Sequence, residues 1–488
     1  MHAVDIKKPA ESGAPDTDRY KWLALATVGI GTFMAPLDGS VVNIALPHIA
    51  SSLRATLPTV EWVVMMYLLV ISTLLLTYGR LGDMIGHKPV YLAGFVIFTA
   101  GSLLCGFSPA IGYLIAFRAV QAIGAGMMMA IGPAIVTSAF PAHERGKALG
   151  MNAMVVATAL ALGPTIGGLL VSTFGWRSIF FINLPIGVFG TIWAWRVLRM
   201  NPTVPGQSFD VPGAITIFVA LTALLLALSK GQDLGWSSLP IVSLLAAAVV
   251  FGALFLLNER RVAQPMMDLS LFENRLFSAA NLSALLNFMA QSAVTFLMPF
   301  YLENVRHLEA AHAGLVLSPM PLVVLVAAPF SGSLSDKIGS RLLSSTGMAV
   351  IALDLGLLSR LGVATPLLLI GALLAIAGLG AGLFQSPNNS AIMGSVPKHR
   401  LGIASGMLAS MRNIGMVVGV ALSGAILTNR LPVHASRLSA QGLAGDLLQK
   451  QAFVLSFHDS FVVAAVLAAI GVLTSLIRGK HVPVQRGE

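Results

Sequence analysis

Apolar residues occur along this chain in long runs, which recur from Trp22 to Ile477 and are separated by short polar gaps. Each run has about 20 residues, the length that an α-helix needs to cross the hydrocarbon core of a bilayer. A β-barrel strand would alternate apolar and polar residues, whereas Leu244 to Phe251 is continuously apolar. We therefore predict an all-helical polytopic membrane protein with fourteen transmembrane helices, near 22–46, 60–79, 90–108, 111–139, 147–173, 178–198, 211–229, 239–257, 277–302, 312–334, 342–361, 365–393, 401–428 and 459–477.

Composition and charge agree with a membrane location. Of the 488 residues, 56% are hydrophobic and only 10% are charged, whereas a soluble domain has about 25% charged residues. The net charge of +10 does not indicate nucleic-acid binding, because the basic residues lie in the gaps between apolar runs. Twenty of the thirty Lys and Arg residues fall on one side of the predicted membrane, eight on the other, and two, Arg118 and Arg412, within spans. The positive-inside rule then predicts that both termini are cytoplasmic.

An internal repeat organises the chain. The segment Gly79 to Asp83 recurs as Gly332 to Asp336, 253 residues later, and both copies lie in gaps predicted to be cytoplasmic. A parallel repeat of this kind relates two bundles of six helices, and it leaves helices 7 and 8 without counterparts. The predicted organisation is a cytoplasmic tail over 1–21, a six-helix bundle over 22–200, two extra helices over 201–260, a second six-helix bundle over 261–476 and a cytoplasmic tail over 477–488.

Three charged residues within predicted spans are the strongest functional candidates: Asp38, Arg118 and Asp354. An ionised side chain at the centre of a membrane helix costs about 2.5 to 3.5 kcal/mol of insertion free energy, so such a residue usually has a functional or a pairing role. Asp38 is either a functional acid or a structural partner of another residue. Arg118 is either a coupling residue or a residue that fixes helix packing through backbone carbonyls. Asp354 fits a site for a cationic substrate, a proton carrier or a partner of Arg412.

Four motifs give the chain a family resemblance: Leu37 to Pro47 in helix 1, Gly79 to Pro89 between helices 2 and 3, Arg118 to Gly126 in helix 4 and Gly163 to Gly168 in helix 5. In this order and placement they resemble the major facilitator superfamily, specifically its fourteen-helix drug:proton antiporter family. The resemblance implies proton coupling by Asp38 and Arg118. It also implies conformational roles for a set of motif residues: Gly79, Asp83, Gly86, Lys88, Gln121, Gly124, Gly163, Pro164, Gly167, Gly168 and Asp336.

Polar residues inside spans are candidates for a central substrate cavity. They are Asp38, Tyr67, Asn287, Gln291, Asp354, Gln385, Asn388 and Asn389. The same side chains can instead hydrogen-bond between helices, at an average gain of only about 0.6 kcal/mol each. Methionine-rich stretches such as Met127 to Met129 suit an adaptable surface, and packing accounts for them equally well.

The leading functional hypothesis is a secondary active exporter that exchanges protons for amphipathic, cationic compounds. A lipid or metabolite translocase of the same fold and a passive membrane pathway are the alternatives. We expect no enzyme activity, no cofactor and no metal site, since the chain has no GxxxxGK[ST] motif, no HExxH motif and one cysteine, Cys105. The expected partners are the lipid bilayer, small-molecule substrate and protons, with no nucleic acid. By resemblance, the expected state is a monomer in the bacterial inner membrane.

The charge pattern makes the topology testable. Epitope tags after residue 8, within 262–274 or after residue 482 should be cytoplasmic, because these segments lie on the side with twenty basic residues. Tags within 435–445 should be external. Protease accessibility in intact cells measures each location, and a cytoplasmic tag within 435–445 would contradict the fourteen-helix assignment.

Overall fold

The computed structural model describes residues 15–141, 144–200, 210–262, 269–396 and 401–477. These residues form sixteen α-helices, and no strand occurs among them. The helices are α1 (Pro15–Ser52), α2 (Leu57–Ile85), α3 (His87–Gly106), α4 (Ile111–Ala139), α5 (Arg145–Phe174), α6 (Ser178–Phe181), α7 (Asn183–Val197), α8 (Val211–Leu234), α9 (Leu239–Arg261), α10 (Arg275–Phe300), α11 (Ala310–Leu317), α12 (Pro319–Ile338), α13 (Ser340–Leu358), α14 (Leu367–Gly394), α15 (Leu401–Ala440) and α16 (Gly445–Leu476).

The predicted all-helical membrane fold is confirmed. In the described residues, thirteen helical segments are long and apolar enough to cross a bilayer, and α8 adds a shorter apolar stretch, Val211–Leu224. The boundaries differ from the prediction where helices break or continue. The span expected at 312–334 covers most of α11 and the start of α12, which begins at Pro319. The gap expected at 429–458 is mostly helical, because α15 continues to Ala440 and α16 begins at Gly445.

One pair of helices in each half makes an equivalent close contact, at positions 253 residues apart. A Cβ atom added to Gly94 of α3 would lie 3.1 Å from the carbonyl oxygen of Gly124 on α4. At the position 253 residues later, a Cβ atom on Gly347 of α13 would lie 2.8 Å from the carbonyl oxygen of Gly380 on α14. Both pairs of helices therefore approach closely because glycine has no side chain at the contact.

The two extra helices lie beside the bundles. The first, α8, contacts α2 of the first half and α15 of the second half, and α9 packs mainly on α8. Asp210 caps α8 by accepting a 2.9 Å hydrogen bond from the backbone N–H of Gly213, and its second oxygen accepts from Asn258 of α9 at 2.7 Å. The cap thus fixes the two extra helices to each other at one end.

The buried apolar residues form a shared core at one end of the molecule and separate cores at the other. The largest cluster joins Leu37 to Ile49 of α1 with residues from Ala290 to Leu317 of the second half, at the end predicted to be external. Toward the predicted cytoplasmic end, one cluster is built from the first half, with Ala409 of α15 packed against it, and another from the second half. Among the described residues, the buried apolar clusters therefore join the halves at the predicted external face and lie mostly within one half toward the opposite face.

Close contacts between α5 and the second half hold this external closure. A Cβ atom added to Gly168 would lie 2.9 Å from the Cα of Ala311, and one added to Gly314 would meet the backbone of Pro164. The hydroxyls of Thr165 and Ser318 are hydrogen-bonded at 2.7 Å. Across the same face, His48 of α1 lies 2.9 Å from a carboxylate oxygen of Glu303, which belongs to a single π-helical turn, Tyr301–Val305.

Gly168→Val should destabilise the protein by about 1–3 kcal/mol, because a side chain there forces α5 away from α11. Gly356→Val is the matched control, since Gly356 is also in a helix and an added Cβ would meet nothing within 4 Å. Thermal melting in detergent measures both variants. Equal melting temperatures for the two variants would contradict the assignment of Gly168 to a close contact between the halves.

Candidate functional site

Asp38 lies at the centre of a buried polar network in the first half. The residue is 1% exposed, and both of its carboxylate oxygens accept hydrogen bonds. Oδ2 accepts from Nη1 of Arg118 in an ion pair, and Oδ1 accepts from Nε2 of Gln121 and from Nδ2 of Asn183, at 2.9 Å each. The carboxylate of Asp38 is therefore hydrogen-bonded to side chains of two other helices, α4 and α7.

Arg118 is 1% exposed and is held on several sides. Beyond the ion pair, Nη1 donates to Oε1 of Gln121 at 2.8 Å, and Nε donates to the backbone carbonyl of Val63 on α2 at 3.1 Å. Its guanidinium lies over the ring of Tyr67, 3.9 Å from the centroid, which adds a cation–π contact. Arg118 therefore connects α4 to both α1 and α2, which agrees with a packing role through a backbone carbonyl, and its role in coupling stays a prediction.

Two further members of the network, Ser102 and Asn183, were missed by the sequence analysis. The hydroxyl oxygen of Ser102 accepts from Gln121 at 3.1 Å and from Asn183 at 3.0 Å, and the hydroxyl donates to the carbonyl of Phe180 at 2.9 Å. Both residues are fully buried. Asn183 is an amide within a predicted span, the same signal that identified the other amide candidates, whereas serine is too common in membrane helices to be selected.

Local backbone features bring these side chains together. Pro36 lies inside α1 two residues before Asp38, where it removes one backbone donor. One residue earlier, the Ala35 carbonyl accepts a 3.2 Å hydrogen bond from the Tyr67 hydroxyl. Gly101 lets α3 approach α4 so closely that an added Cβ would lie 2.6 Å from the Cα of Gln121. That approach places Ser102 beside Gln121.

The remaining helix 4 and helix 5 motif residues are packing contacts. Gly124 is pressed against α3, where an added Cβ would lie 2.7 Å from the Cα of Phe98. Gly163 and Gly167 face Ser40 and Val41 of α1. Since Pro164 and Gly168 face α11, the helix 5 motif contacts α1 with one set of small residues and the second half with another.

The motif between α2 and α3 is a tight turn at the predicted cytoplasmic face. Gly86 has a φ angle of +96° and joins the two helices without a linker, a backbone conformation that favours glycine. An added Cβ on Gly79 would meet nothing within 4 Å. Lys88 donates to the Trp195 carbonyl of α7 at 2.8 Å. The side chains of Asp83 and Asp336 lie outside the described residues.

Asp354 is fully buried in α13 rather than open to a cavity. Neither of its carboxylate oxygens has a hydrogen-bond partner in the described part of the chain, and the ion pairs found there do not join it to Arg412. In this conformation, Asp38 and Asp354 are both closed to a bound molecule. Direct contact of either carboxylate with substrate stays a prediction.

The amide candidates of the second half differ in exposure. On α10, Asn287 is buried and accepts a 3.1 Å hydrogen bond from Gln291 one turn later. On α14, Asn388 is buried, Gln385 is half-buried and Asn389 is exposed. Among these amides, Gln291, Gln385 and Asn389 are therefore the ones with exposed surface. The part of the chain that the structure describes contains no cluster of metal-ligating side chains.

Comparison with known proteins places this geometry in a family. The model of the Major Facilitator Superfamily matches residues 28–420. The riboflavin transporter RibZ of Clostridioides difficile is 37% identical over 464 residues, which cover 94% of this chain and 97% of RibZ. The multidrug resistance protein Stp of Mycobacterium tuberculosis is 34% identical over 412 residues, 84% of this chain and 76% of Stp.

Solved structures share the fold. A bacterial homologue of the human lysosomal transporter Spinster, in an inward-facing and unoccupied conformation, matches with a TM-score of 0.68 over 94% of this chain and 97% of that one. The sequences are 15% identical, so the likeness concerns the fold alone.

Proposed function

The chain belongs to the major facilitator superfamily, and from that membership we propose that this membrane transporter is a proton-coupled antiporter that exports amphipathic, cationic compounds by alternating access. The observation that carries the proposal is the buried ion pair of Asp38 and Arg118, together with the hydrogen bonds that Gln121, Asn183 and the Val63 carbonyl make to it. Asp38 is the group that binds and releases the proton. Arg118 is the group whose contacts change when it does so.

Protonation of Asp38 cannot leave the network unchanged. Arg118 stays charged at any physiological pH, and it is buried. Removing one partner of a buried ion pair costs about 3–5 kcal/mol, because the other charge stays out of water without compensation. A proton on Asp38 therefore favours a rearrangement in which Arg118 gains a new partner or water.

That rearrangement reaches the contact between the halves through α1 and α2. Arg118 donates to the Val63 carbonyl of α2, and α2 packs on α15 of the second half. Asp38 lies on α1, whose end carries His48 opposite Glu303 of the second half. Binding a proton at Asp38 thus alters two helices that close the predicted external face, which is what coupling requires.

Substrate contacts in this proposal fall on the second half and on the surface between the halves. Gln291, Gln385 and Asn389 supply polar contacts, and exposed or half-buried apolar side chains supply the rest. A cation that approaches the network competes with the proton electrostatically, so substrate arrival favours proton release from Asp38. Movement of each charge across 100 mV supplies about 2.3 kcal/mol.

Asp38→Asn should abolish uphill export, because Asn keeps the size of Asp but cannot titrate, and it should lower the melting temperature because Arg118 loses its charged partner. Arg118→Lys should also impair coupling, since Lys lacks the planar fork that reaches Asp38, Gln121 and Val63 together. Ethidium flux driven by a pH gradient in proteoliposomes measures export, and proton release on adding ethidium measures coupling. Asp446→Asn is the matched control, as Asp446 is exposed at the start of α16.

If well-folded Asp38→Asn accumulates ethidium and releases protons as the wild type does, Asp38 is not the proton-coupling residue. Melting curves on each variant distinguish lost coupling from lost folding. In that event Asp354, the buried carboxylate of α13, becomes the first candidate for the proton site.

A second candidate function is metabolite transport, which the 37% identity to a riboflavin transporter favours. Riboflavin is uncharged, so its transport should not depend on a competing carboxylate, whereas ethidium transport should. We expect the protein to move ethidium in exchange for protons and riboflavin poorly. Parallel fluxes of the two compounds in the same vesicles test this, and riboflavin movement without ethidium movement would favour the metabolite transporter.

A further inference from the structure

Glu61 is a buried carboxylate that the proposed mechanism does not use. It lies in the first turns of α2, near the predicted external face, and is 1% exposed. Its Oε1 atom has no hydrogen-bond partner among the described residues. Removing an ionised carboxylate from water without pairing it fully is costly, so this environment favours the neutral acid.

The Glu61 carboxylate lies where three parts of the molecule meet. A Cβ atom added to Gly424 of α15 would overlap its carboxylate atoms, so the acid packs directly on the bare backbone of the second half. Lys230 of α8 is close enough to attract it electrostatically. Glu61 therefore touches the opposite half of the transporter, and α8, which carries Lys230, contacts both α2 and α15.

Two charged residues on the helices packed against α2, Arg430 and Arg118, are paired with other acids. On α15, the next charged residue toward the external end is Arg430, and it pairs with Asp459 of α16 at 3.3 Å. Arg118 reaches α2 at the Val63 carbonyl and is paired with Asp38. Lys230 is thus the charged group that faces Glu61 from α8, and Gly424 is the residue that faces it from α15.

On the premise of the proton-coupled antiport proposed above, we propose that Glu61 is a second proton-binding site, located in the contact between the halves, and that its protonation holds the external face closed. Opening that face separates α2 from α15 and exposes the carboxylate to water, where it ionises. The closed face is therefore most stable at low pH, when Glu61 is neutral, and loses stability as the pH rises. A high external proton concentration therefore favours closure of the external face after the substrate has left.

The same geometry gives the extra helices a role. Lys230 partly compensates an ionised Glu61 in the closed arrangement, so it limits how strongly the closure depends on the proton. Without that cation, the closed face tolerates an ionised Glu61 less well. The helices α8 and α9 then form a third component of the external closure, since α8 contacts α2 of the first half and α15 of the second.

Distance measurements between spin labels test this proposal without reference to transport. Labels on cysteines introduced at the exposed residues Ser52 and Ser439 report the separation of the halves, after the buried Cys105 is replaced by Ala. The protein carries Asp38→Asn, so that titration at Asp38 contributes nothing, and is held in lipid nanodiscs over a range of pH. The variants compared are Glu61→Gln, Glu61→Asp and, as control, Glu309→Gln, an exposed acid at the same face.

We expect the parent and Glu309→Gln to shift toward longer distances as the pH rises. Glu61→Gln should lose the shift and stay closed at every pH, whereas Glu61→Asp, which still titrates, should keep it. Lys230→Met should show a larger shift than the parent. The proposal is overturned if Glu61→Gln shifts as the control does, or if the parent does not shift at all. Because Asp38 is already neutral here, these results are independent of the flux tests on Asp38.

Discussion

The buried ion pair of Asp38 and Arg118 constrains the whole first half of this transporter. Two charges out of water are stable only if each hydrogen bond they can make is made, and here four helices and part of α2 supply the partners. The requirement fixes the positions of α1, α3, α4 and α7 relative to one another. It also makes the arrangement sensitive to a single proton, because protonating Asp38 removes the compensation for Arg118.

The contact between the halves has a different physical character. At the predicted external face it consists of apolar packing, bare glycine backbone and a few polar contacts, such as that between Thr165 and Ser318. A contact of this kind can separate without leaving many buried polar groups unpaired. A rigid network inside the first half and a separable surface between the halves suit alternating access by rocking bundles.

The sequence predicted the elements of this structure well, because apolar runs of membrane length leave little freedom. Asp38, Arg118 and Gln121 were identified from their charge or polarity within spans and from the helix 4 motif. Ser102 and Asn183 were not, since their role follows from the close approach of α3 to α4 at Gly101, a distance that no local pattern encodes. Glu61 was overlooked because it is only the second residue of the predicted span 60–79, where a charge is ordinary, and its contact with Gly424, more than 300 residues away, is visible only in the packed halves.

The central claim, that Asp38 exchanges a proton for substrate, is tested most directly by infrared difference spectroscopy. Protonated and ionised carboxyl groups absorb separately, so adding ethidium to protein equilibrated at acidic pH reports which acids lose a proton. The account predicts that a protonated-carboxyl band disappears in the wild type and in Glu61→Gln, and that this loss is missing in Asp38→Asn. The same band disappearing in Asp38→Asn would contradict the account.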